Sequence, residues 1–304
     1  MKNLFFLLLL LPLYSASQEY VDIIKMGYSN TFDAEFKGTN SSTDVKTFEI
    51  ELTFPLVINE KNAIITGVNF NTHKLQLFPN VAYTKLYSTL LKLGLATTYS
   101  EKWSSTIVFL PKIASDYKNI SGDDFYYGGL VLLKLQKKEN LKYRFGFYAS
   151  SEAFGLFATP IIGGYYLSPN KNFEVDASLP ISVDINYSFG TTALGFDYFG
   201  IGRSFNISQV NLPNVYVEQR PLEFSTYVQF NVLQKSVLLR AKVGYTSNEY
   251  DVYADGDDLD FRLSAFSFGD DRTQLNPELS GGVFLKFEAI YRIHIKKDDT
   301  EHID

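Results

Sequence analysis

Hydrophobic and polar residues alternate along most of this chain. The longest example is Phe173–Ser188, where every odd position is apolar and every even position is small, polar, acidic or proline. A period of two is the pattern of a β-strand with one apolar and one polar face. Residues 48–59 repeat the chemistry of residues 173–184 almost position by position. This repetition indicates a common type of strand rather than a binding motif.

The same alternation predicts strands throughout the rest of the chain. Their approximate ranges are 24–36, 47–56, 64–71, 87–99, 103–113, 125–137, 141–151, 161–167, 173–188, 194–198, 222–232, 237–245 and 283–295. Tight polar turns are predicted at Asn59–Asn62, Ser100–Lys102, Lys138–Asn140, Ser168–Lys171 and Gln234–Lys235. The acidic segment Asn248–Asp260 is interpreted as a surface loop.

These strands predict an all-β fold, a transmembrane antiparallel up-and-down β-barrel. No stretch after the N-terminal segment has a sustained helical period. Aromatic residues make up 16% of the chain, with 21 Tyr and 26 Phe, yet the mean hydropathy is only −0.07. A barrel that alternates lipid-facing and lumen-facing residues averages out near neutral, and its closure leaves no unpaired sheet edge in lipid.

The number of strands depends on how Phe173–Ser188 is interpreted. As one strand, it gives a barrel of about twelve, with Pro160–Ser168 placed in an outer loop. A break at Leu179–Pro180 gives fourteen and restores the alternation of short turns with long loops. The unbroken period favours twelve, because a two-residue hairpin would shift the phase. Pro180 favours the break, because proline cannot donate to the β-ladder.

The N-terminal sequence predicts that the protein is exported from the cytoplasm. Lys2 precedes a nearly pure apolar run from Leu4 to Leu13, and small residues follow at Ser15–Ser17. This is the pattern of a cleaved signal peptide covering residues 1–17. The barrel domain is then expected over residues 18–304, with a short charged tail at residues 296–304.

Charge and cysteine content narrow the function classes. The net charge is −6, and the Lys and Arg residues are scattered rather than clustered, so nucleic acid is not expected as a partner. The chain has no cysteine, which excludes a disulfide and a lipidated cysteine at the cleavage site.

The polar faces of the predicted strands carry charges that should point into the lumen. The candidates are Lys25, Glu49, Glu51, Lys142, Arg144, Asp184, Glu223, Arg240 and Lys242, together with Asp176 and Glu288. They could line a selective pore. They could equally form cross-strand ion pairs that fill a closed barrel. The sequence leaves both interpretations open.

An enzyme or a metal site is not expected. The candidate base is His73, but no serine follows it in the pattern of a barrel phospholipase, and no paired acidic motif indicates a rim protease. Residues 255–258 and 269–271 are rich in Asp, but neither matches the spacing of a calcium loop. No cofactor is predicted.

The signal peptide, the repeated F-x-x-x-x-x-[FL]-P strand and the Tyr-rich hairpins resemble those of uncharacterised outer-membrane β-barrel proteins of Bacteroidetes-type bacteria. The resemblance covers the whole mature chain. It implies the outer membrane of a Gram-negative bacterium, contact with outer-membrane lipid and insertion by the barrel-assembly machinery, with no assigned activity. Many such barrels end on an aromatic residue of the last strand, whereas this chain continues through Lys296–Asp304; Tyr291–Ile295 could serve as the insertion signal.

Three functions are therefore considered. The first is a passive or substrate-gated channel, resembling a porin, for small solutes. The second is a structural or adhesion barrel that binds partners through its outer loops. An outer-membrane hydrolase comes last, because it lacks a site. The sequence indicates neither the substrate nor the oligomeric state.

Overall fold

The computed structural model describes residues 20–208, 214–247 and 249–294. The predicted signal peptide (1–17) and charged tail (296–304) lie outside these residues, as does Ile295. Fourteen of the strands form one closed antiparallel barrel. They are β1 (Tyr20–Glu35), β2 (Ser42–Val57), β3 (Asn62–Leu75), β4 (Thr84–Thr98), β5 (Trp103–Ser115), β6 (Phe125–Lys138), β7 (Leu141–Glu152), β8 (Gly155–Leu167), β9 (Phe173–Leu179), β10 (Ser182–Phe189), β11 (Thr192–Phe199), β14 (Glu223–Val232), β15 (Val237–Thr246) and β19 (Gly282–His294).

Two long loops contain five further strands. They are β12 (Arg203–Ile207), β13 (Val215–Arg220), β16 (Glu249–Ala254), β17 (Phe261–Leu263) and β18 (Phe266–Phe268). The barrel closes because β1 pairs with both β2 and β19, while β11 pairs directly with β14 and β15 with β19. The loop strands are therefore additions to the barrel wall, not members of it.

The two ends of the barrel differ. One end, called proximal here, holds Tyr20 and His294 and has short turns between strands. Some of these turns are stabilised by side chains; for example, the Asn59 side-chain oxygen accepts hydrogen bonds from the backbone N–H groups of Lys61 and Asn62 at 3.0 and 2.9 Å. The opposite, distal end carries the long loops 200–222 and 247–281. Two distal connections are short as well, since only residues 153–154 join β7 to β8 and only residues 180–181 join β9 to β10. The predicted alternation of short turns with long loops therefore holds only in part.

The strand number corrects the preferred prediction of twelve. Residues 173–188 form two strands, β9 and β10, and Pro160–Ser168 lies largely within wall strand β8 rather than in an outer loop. Ser178 pairs with Ser182, so three residues, 179–181, lie between these paired positions. Because an odd number of residues lies between the paired positions, odd-numbered residues stay on the same face across the turn. The unbroken period therefore does not exclude a hairpin.

The outside of the barrel is apolar around mid-height. On β7, Phe145 and Phe147 are exposed, whereas Arg144 and Tyr148 lie on the half-buried inner face, as the alternation predicts. Exposed side chains at mid-height include Leu93, Ile107, Val131, Leu239, Leu285 and Phe287. Exposed aromatic residues lie near both ends, proximally at Tyr99, Trp103, Phe189 and Tyr291 and distally at Tyr127, Phe224 and Tyr245.

The loop strands close the distal end from within. Strands β12, β13 and β16 form a small antiparallel sheet, which we call the plug. Its apolar side chains share one buried cluster with inward-facing residues of the distal barrel wall. From the plug these are Phe205, Ile207, Val215, Val217, Tyr250 and Val252, and from the wall Val45, Leu75, Leu86, Ala114 and Tyr126. Burial of this surface holds the plug against the wall.

The position of β16 overturns the interpretation of Asn248–Asp260 as a surface loop. Tyr250, Asp251 and Val252 are each 1% exposed. A second hairpin, β17–β18, pairs with the distal part of β8 beyond the point where β9 ends. Glu218 of β13 forms ion pairs with Arg262 of β17 and, at 2.9 Å, with Arg272, and these connect the hairpin to the plug.

Helix is almost absent from the described residues. It is limited there to a 3-10 turn at Gly122–Asp124. In the part of the chain that the structure covers, no helix is long and apolar enough to cross a membrane.

Candidate lumenal site

A cavity of about 410 Å³ lies inside the barrel on the proximal side of the plug. It extends from Tyr20 and Arg292 near the proximal end to His73, Arg203 and Gln219 beneath the plug. Nine Asp or Glu residues and six Lys or Arg residues line it. The even positions of β9 and β10 contribute to this lining, so the polar face of the longest alternating stretch faces the lumen.

Seven of the nine predicted lumen residues line the cavity. They are Lys25, Glu49, Glu51, Asp184, Glu223, Arg240 and Lys242. Lys142 and Arg144 also lie on the inner face of β7 but outside the cavity lining. Arg144 forms an ion pair with Asp176 of β9, and the Lys142 ammonium lies 6.0 Å from the centre of the Tyr165 ring. Their role in selectivity stays a prediction.

Glu288 is the centre of an ion-pair network on the inner face of the wall. Its fully buried carboxylate lies 2.8 Å from Nζ of Lys242, 3.5 Å from Nζ of Lys286 and 3.6 Å from Nζ of Lys25. Lys286 also pairs with Glu49 at 2.6 Å. The register explains the contacts, because β19 lies between β1 and β15 and presents Glu288 to both neighbours.

A second network lies across β10, β14 and β15. Arg240 donates to Asp184 at 2.8 Å and to Gln229 at 2.6 Å, and its guanidinium lies over the Tyr227 ring at 4.4 Å. Such hydrogen-bonded, stacked arginines are held rigidly. Most lumen charges are therefore matched within the wall, as the ion-pair interpretation expects.

The boundary between cavity and plug is built around His73. Its Nδ1 lies 2.9 Å from the Tyr250 hydroxyl and 3.3 Å from the Thr47 hydroxyl, and its ring packs against Phe205. Burial raises the pKa of the Tyr250 hydroxyl, and nearby Arg203 offsets only part of that rise. Tyr250 therefore stays protonated and available as a donor.

A buried polar latch also joins the plug to the wall. Glu152, at the distal end of β7, accepts hydrogen bonds from the backbone N–H and the hydroxyl of Ser204, both at 2.8 Å. The same carboxylate pairs with Lys112 of β5 at 2.7 Å. All three residues are buried, so the latch lies out of contact with bulk water.

Sequence reasoning missed the part of the site that the plug contributes. Arg203 and Gln219 line the cavity, but they lie in a connection for which no strand was predicted. A local signal exists, since Arg203, Phe205 and Ile207 alternate with Ser204 and Asn206. The run is too short to show that it folds back into the lumen.

No metal centre is formed by the described residues, which contain no group of three or more His, Cys, Asp or Glu placed to hold an ion. The two Asp-rich segments make other contacts. Asp257 accepts the backbone N–H of Thr273 at 3.1 Å, and Asp270 pairs with Arg272 at 2.8 Å. Of the three histidines, His73 is at the plug, the side chain of His294 is not described, and His302 lies outside the described residues.

Comparisons with known proteins give a family without a function. A family model described as "Domain of unknown function (DUF6268)" matches residues 14–244. A search of curated proteins found no match. Similar solved structures include a TodX monoaromatic hydrocarbon channel mutant, deltaS2S3, with 9% identity and a TM-score of 0.39, covering 92% of this chain and 91% of that chain.

Two further solved structures show the range of proteins that are similar. A bacterial polysaccharide outer membrane secretin has 7% identity and a TM-score of 0.36, covering 89% of this chain and 98% of that one. The outer membrane protease OmpT from Escherichia coli has 8% identity and a TM-score of 0.21, covering 90% and 94%. Such scores carry no argument about activity, which has to come from the geometry of this barrel.

Proposed function

We propose that this chain, which belongs to the DUF6268 family of unknown function, is an outer-membrane β-barrel that acts as a gated channel for small solutes. In this conformation the plug keeps the channel closed. The observation that carries the proposal is the buried apolar cluster between the plug and the distal wall, above a charged cavity.

The membrane location is supported by the outer surface. Strands β1 to β8 contain 12 to 16 residues each, and a tilted strand needs about 9–11 to cross the hydrocarbon core. Their outward side chains are apolar at mid-height and aromatic near both ends, the distribution of transmembrane barrels. In bacterial outer-membrane barrels short turns face the periplasm and long loops face outward. We therefore place the proximal end in the periplasm and the plug at the cell surface.

A location in the outer membrane requires export, insertion and contact with lipid. The signal peptide would deliver the chain to the periplasm, the barrel-assembly machinery would insert it, and outer-membrane lipid would surround it. The bacterial group suggested by the resemblance remains an expectation. The proposed function is not enzymatic, because Nδ1 of His73, the candidate base, is occupied by Tyr250 and Thr47.

The cavity favours transport over a purely structural role. A barrel that served only as a scaffold could fill its lumen with side chains, as small barrels do. Here a space of about 410 Å³ remains, lined by charges on wall and plug alike. A polar space that ends at a loop folded into the lumen is the arrangement expected of a closed gate.

Planar-bilayer conductance tests the gate. The wild-type protein should be closed for most of the recording. Replacing all three plug strands, residues 203–220 and 249–254, by flexible linkers should give a steadily conducting barrel with an unchanged wall. A deletion variant that folds and remains electrically silent would overturn the proposal.

A reversible disulfide between plug and wall provides the matched control. Ser115 and Asn206 are β-bridge partners between wall and plug, and the chain has no cysteine of its own. We expect Phe205→Ala to increase opening by weakening the plug. Adding Ser115→Cys and Asn206→Cys to this variant should close it under oxidation and reopen it with reductant.

A second candidate function, binding of a partner through the distal loops, is favoured by the β17–β18 hairpin. Phe266 and Phe268 are 69% and 52% exposed there. Cells that display the barrel should then lose surface binding when both residues are changed to Ser, with conductance unaffected. Equal binding by both forms would exclude this hairpin as the contact.

A further inference from the structure

Two charges that line the cavity lack partners. The other five lining cations form ion pairs, Lys25, Lys242 and Lys286 with Glu288, Arg240 with Asp184 and Arg292 with Asp22. Within the described residues, neither the Arg203 guanidinium nor the Glu223 carboxylate makes an ion pair or a side-chain hydrogen bond, and they do not pair with each other. A cation and an anion are thus both left for something else in the cavity.

Arg203 is held at the top of the cavity by the plug. It is two residues before Phe205 on β12, so both side chains lie on the same face of that strand. Phe205 is fully buried and packs against the His73 ring at a centroid distance of 5.6 Å. The Arg203 side chain is therefore directed to the His73 side of the plug, where it lines the cavity.

His73 adds an unused donor beside Arg203. The Gln219 side-chain N–H donates to the Tyr250 oxygen at 2.9 Å, which leaves the Tyr250 O–H to donate to Nδ1 of His73. Nδ1 then accepts, and the ring proton is on Nε2. Nε2 has no hydrogen-bond partner, although His73 is only 4% exposed and lines the cavity. Leaving a buried donor unpaired is costly, so a ligand acceptor is expected there.

Unused acceptors lie close by. Asn69, Asn71 and His73 are alternate residues of β3 and share its inner face. The side-chain oxygens of both asparagines are buried and have no partner, and both residues line the cavity. With Glu223 they supply acceptors for a group with several N–H donors.

We propose that the space beneath the plug binds a small zwitterion that carries a carboxylate and an ammonium group, the chemistry of a free amino acid. Arg203 and Nε2–H of His73 bind the carboxylate, since the guanidinium fork matches two carboxylate oxygens. Glu223 and the asparagine oxygens bind the ammonium. A volume of about 410 Å³ is within the range of small-molecule sites.

The site extends the proposed function by naming a solute class. Because Arg203 belongs to the plug, a bound zwitterion would touch both gate and wall. Binding is measured without a bilayer, however, so a failure of the site and a failure of the channel can be told apart. A barrel that binds the zwitterion but never conducts would contradict the proposed channel and leave the proposed binding site standing.

Isothermal titration calorimetry of the full-length barrel in detergent tests the site. L-Alanine, L-glutamate and L-lysine are titrated, with acetate and methylammonium as probes that carry one charge each. We expect the amino acids to bind at least about tenfold more tightly than either single-charge probe, because each of those leaves one charged group of the site unpaired. Inorganic phosphate serves as a further anion.

Variants assign the two halves of the ligand. Arg203→Gln should reduce the affinity for amino acids at least about tenfold and leave the affinity for methylammonium unchanged. Glu223→Gln should reduce the affinity for amino acids by a similar factor and leave the affinity for acetate unchanged. Lys138→Gln, at an exposed proximal position, should bind as the wild type does. Heat-modifiable migration in gels checks that each variant is folded.

Two results would overturn the proposal. One is the absence of binding by all three amino acids to folded wild-type protein, which would mean that Arg203 and Glu223 satisfy each other in solution. The other is acetate or phosphate binding as tightly as the amino acids, which would make the site a simple anion site. Both are read on the wild-type protein, so they do not depend on whether a variant folds.

Discussion

Nδ1 of His73 lies 2.9 Å from the hydroxyl oxygen of Tyr250, although 177 positions of sequence separate the two residues. His73 belongs to wall strand β3 and Tyr250 to plug strand β16. The contact is buried and continues to Gln219 of β13. It therefore joins the plug to the wall through hydrogen bonds that water does not replace.

Removing the Tyr250 hydroxyl should loosen the plug. Tyr250→Phe leaves Nδ1 of His73 and the Gln219 amide without this partner, at a cost of about 1–3 kcal/mol for each buried group. We expect a higher open probability in bilayers, with the wall intact. Tyr253→Phe is the control, because Tyr253 is on the same strand but its hydroxyl makes no hydrogen bond within the described residues. Equal effects of the two variants would contradict this role for Tyr250.

The Glu152 latch should be sensitive to the loss of one partner. Glu152→Leu leaves the Lys112 ammonium buried without its carboxylate and removes the acceptor for Ser204. Breaking a buried pair in this way costs about 3–5 kcal/mol. We expect easier proteolysis of the plug loops. The double variant Lys112→Met with Glu152→Leu should recover part of the loss, and no recovery would show that Ser204, rather than the ion pair, dominates.

The Glu288 network should stabilise the barrel itself. Glu288→Leu takes a buried carboxylate away from three lysines, and we expect the free energy of unfolding in lipid vesicles to fall by about 3 kcal/mol. The control is Glu174→Gln, because Glu174 forms no ion pair within the described residues and Gln can still accept the Tyr20 hydroxyl. Urea titration of both variants measures the difference. A Glu288 variant as stable as the control would contradict the prediction.

The two faces of β1 test the membrane location. Met26 faces outward near mid-height and Ser29 lines the cavity. Charge on the lipid face near the midplane costs roughly 2–4 kcal/mol, so Met26→Arg should impair folding into vesicles and Ser29→Arg should be mild. Both sites are on one strand, so strand propensity cannot separate them. Equal effects would mean that the apolar face does not contact lipid.

The alternation along the sequence predicts which side chains of the wall strands face outward and which face the lumen. In an isolated alternating run such as 141–151, the face of each residue follows from its parity, because the strand repeat is two residues. Inward residues such as Glu49, Asp184 and Arg240 could thus be chosen before any contact was known. Where turns contain Asn59 or Ser100, local hydrogen bonding also marks the strand ends.

The number of wall strands and the plug do not follow from any local pattern. Parity cannot distinguish one strand from two when three residues connect Ser178 and Ser182, because the pattern is the same in both cases. The plug strands are short, and the buried surface that stabilises them comes from wall residues such as Leu75 and Leu86, more than a hundred positions away. Arg203 lines the cavity, rather than facing bulk solvent, because of this long-range packing. No local sequence pattern encodes it.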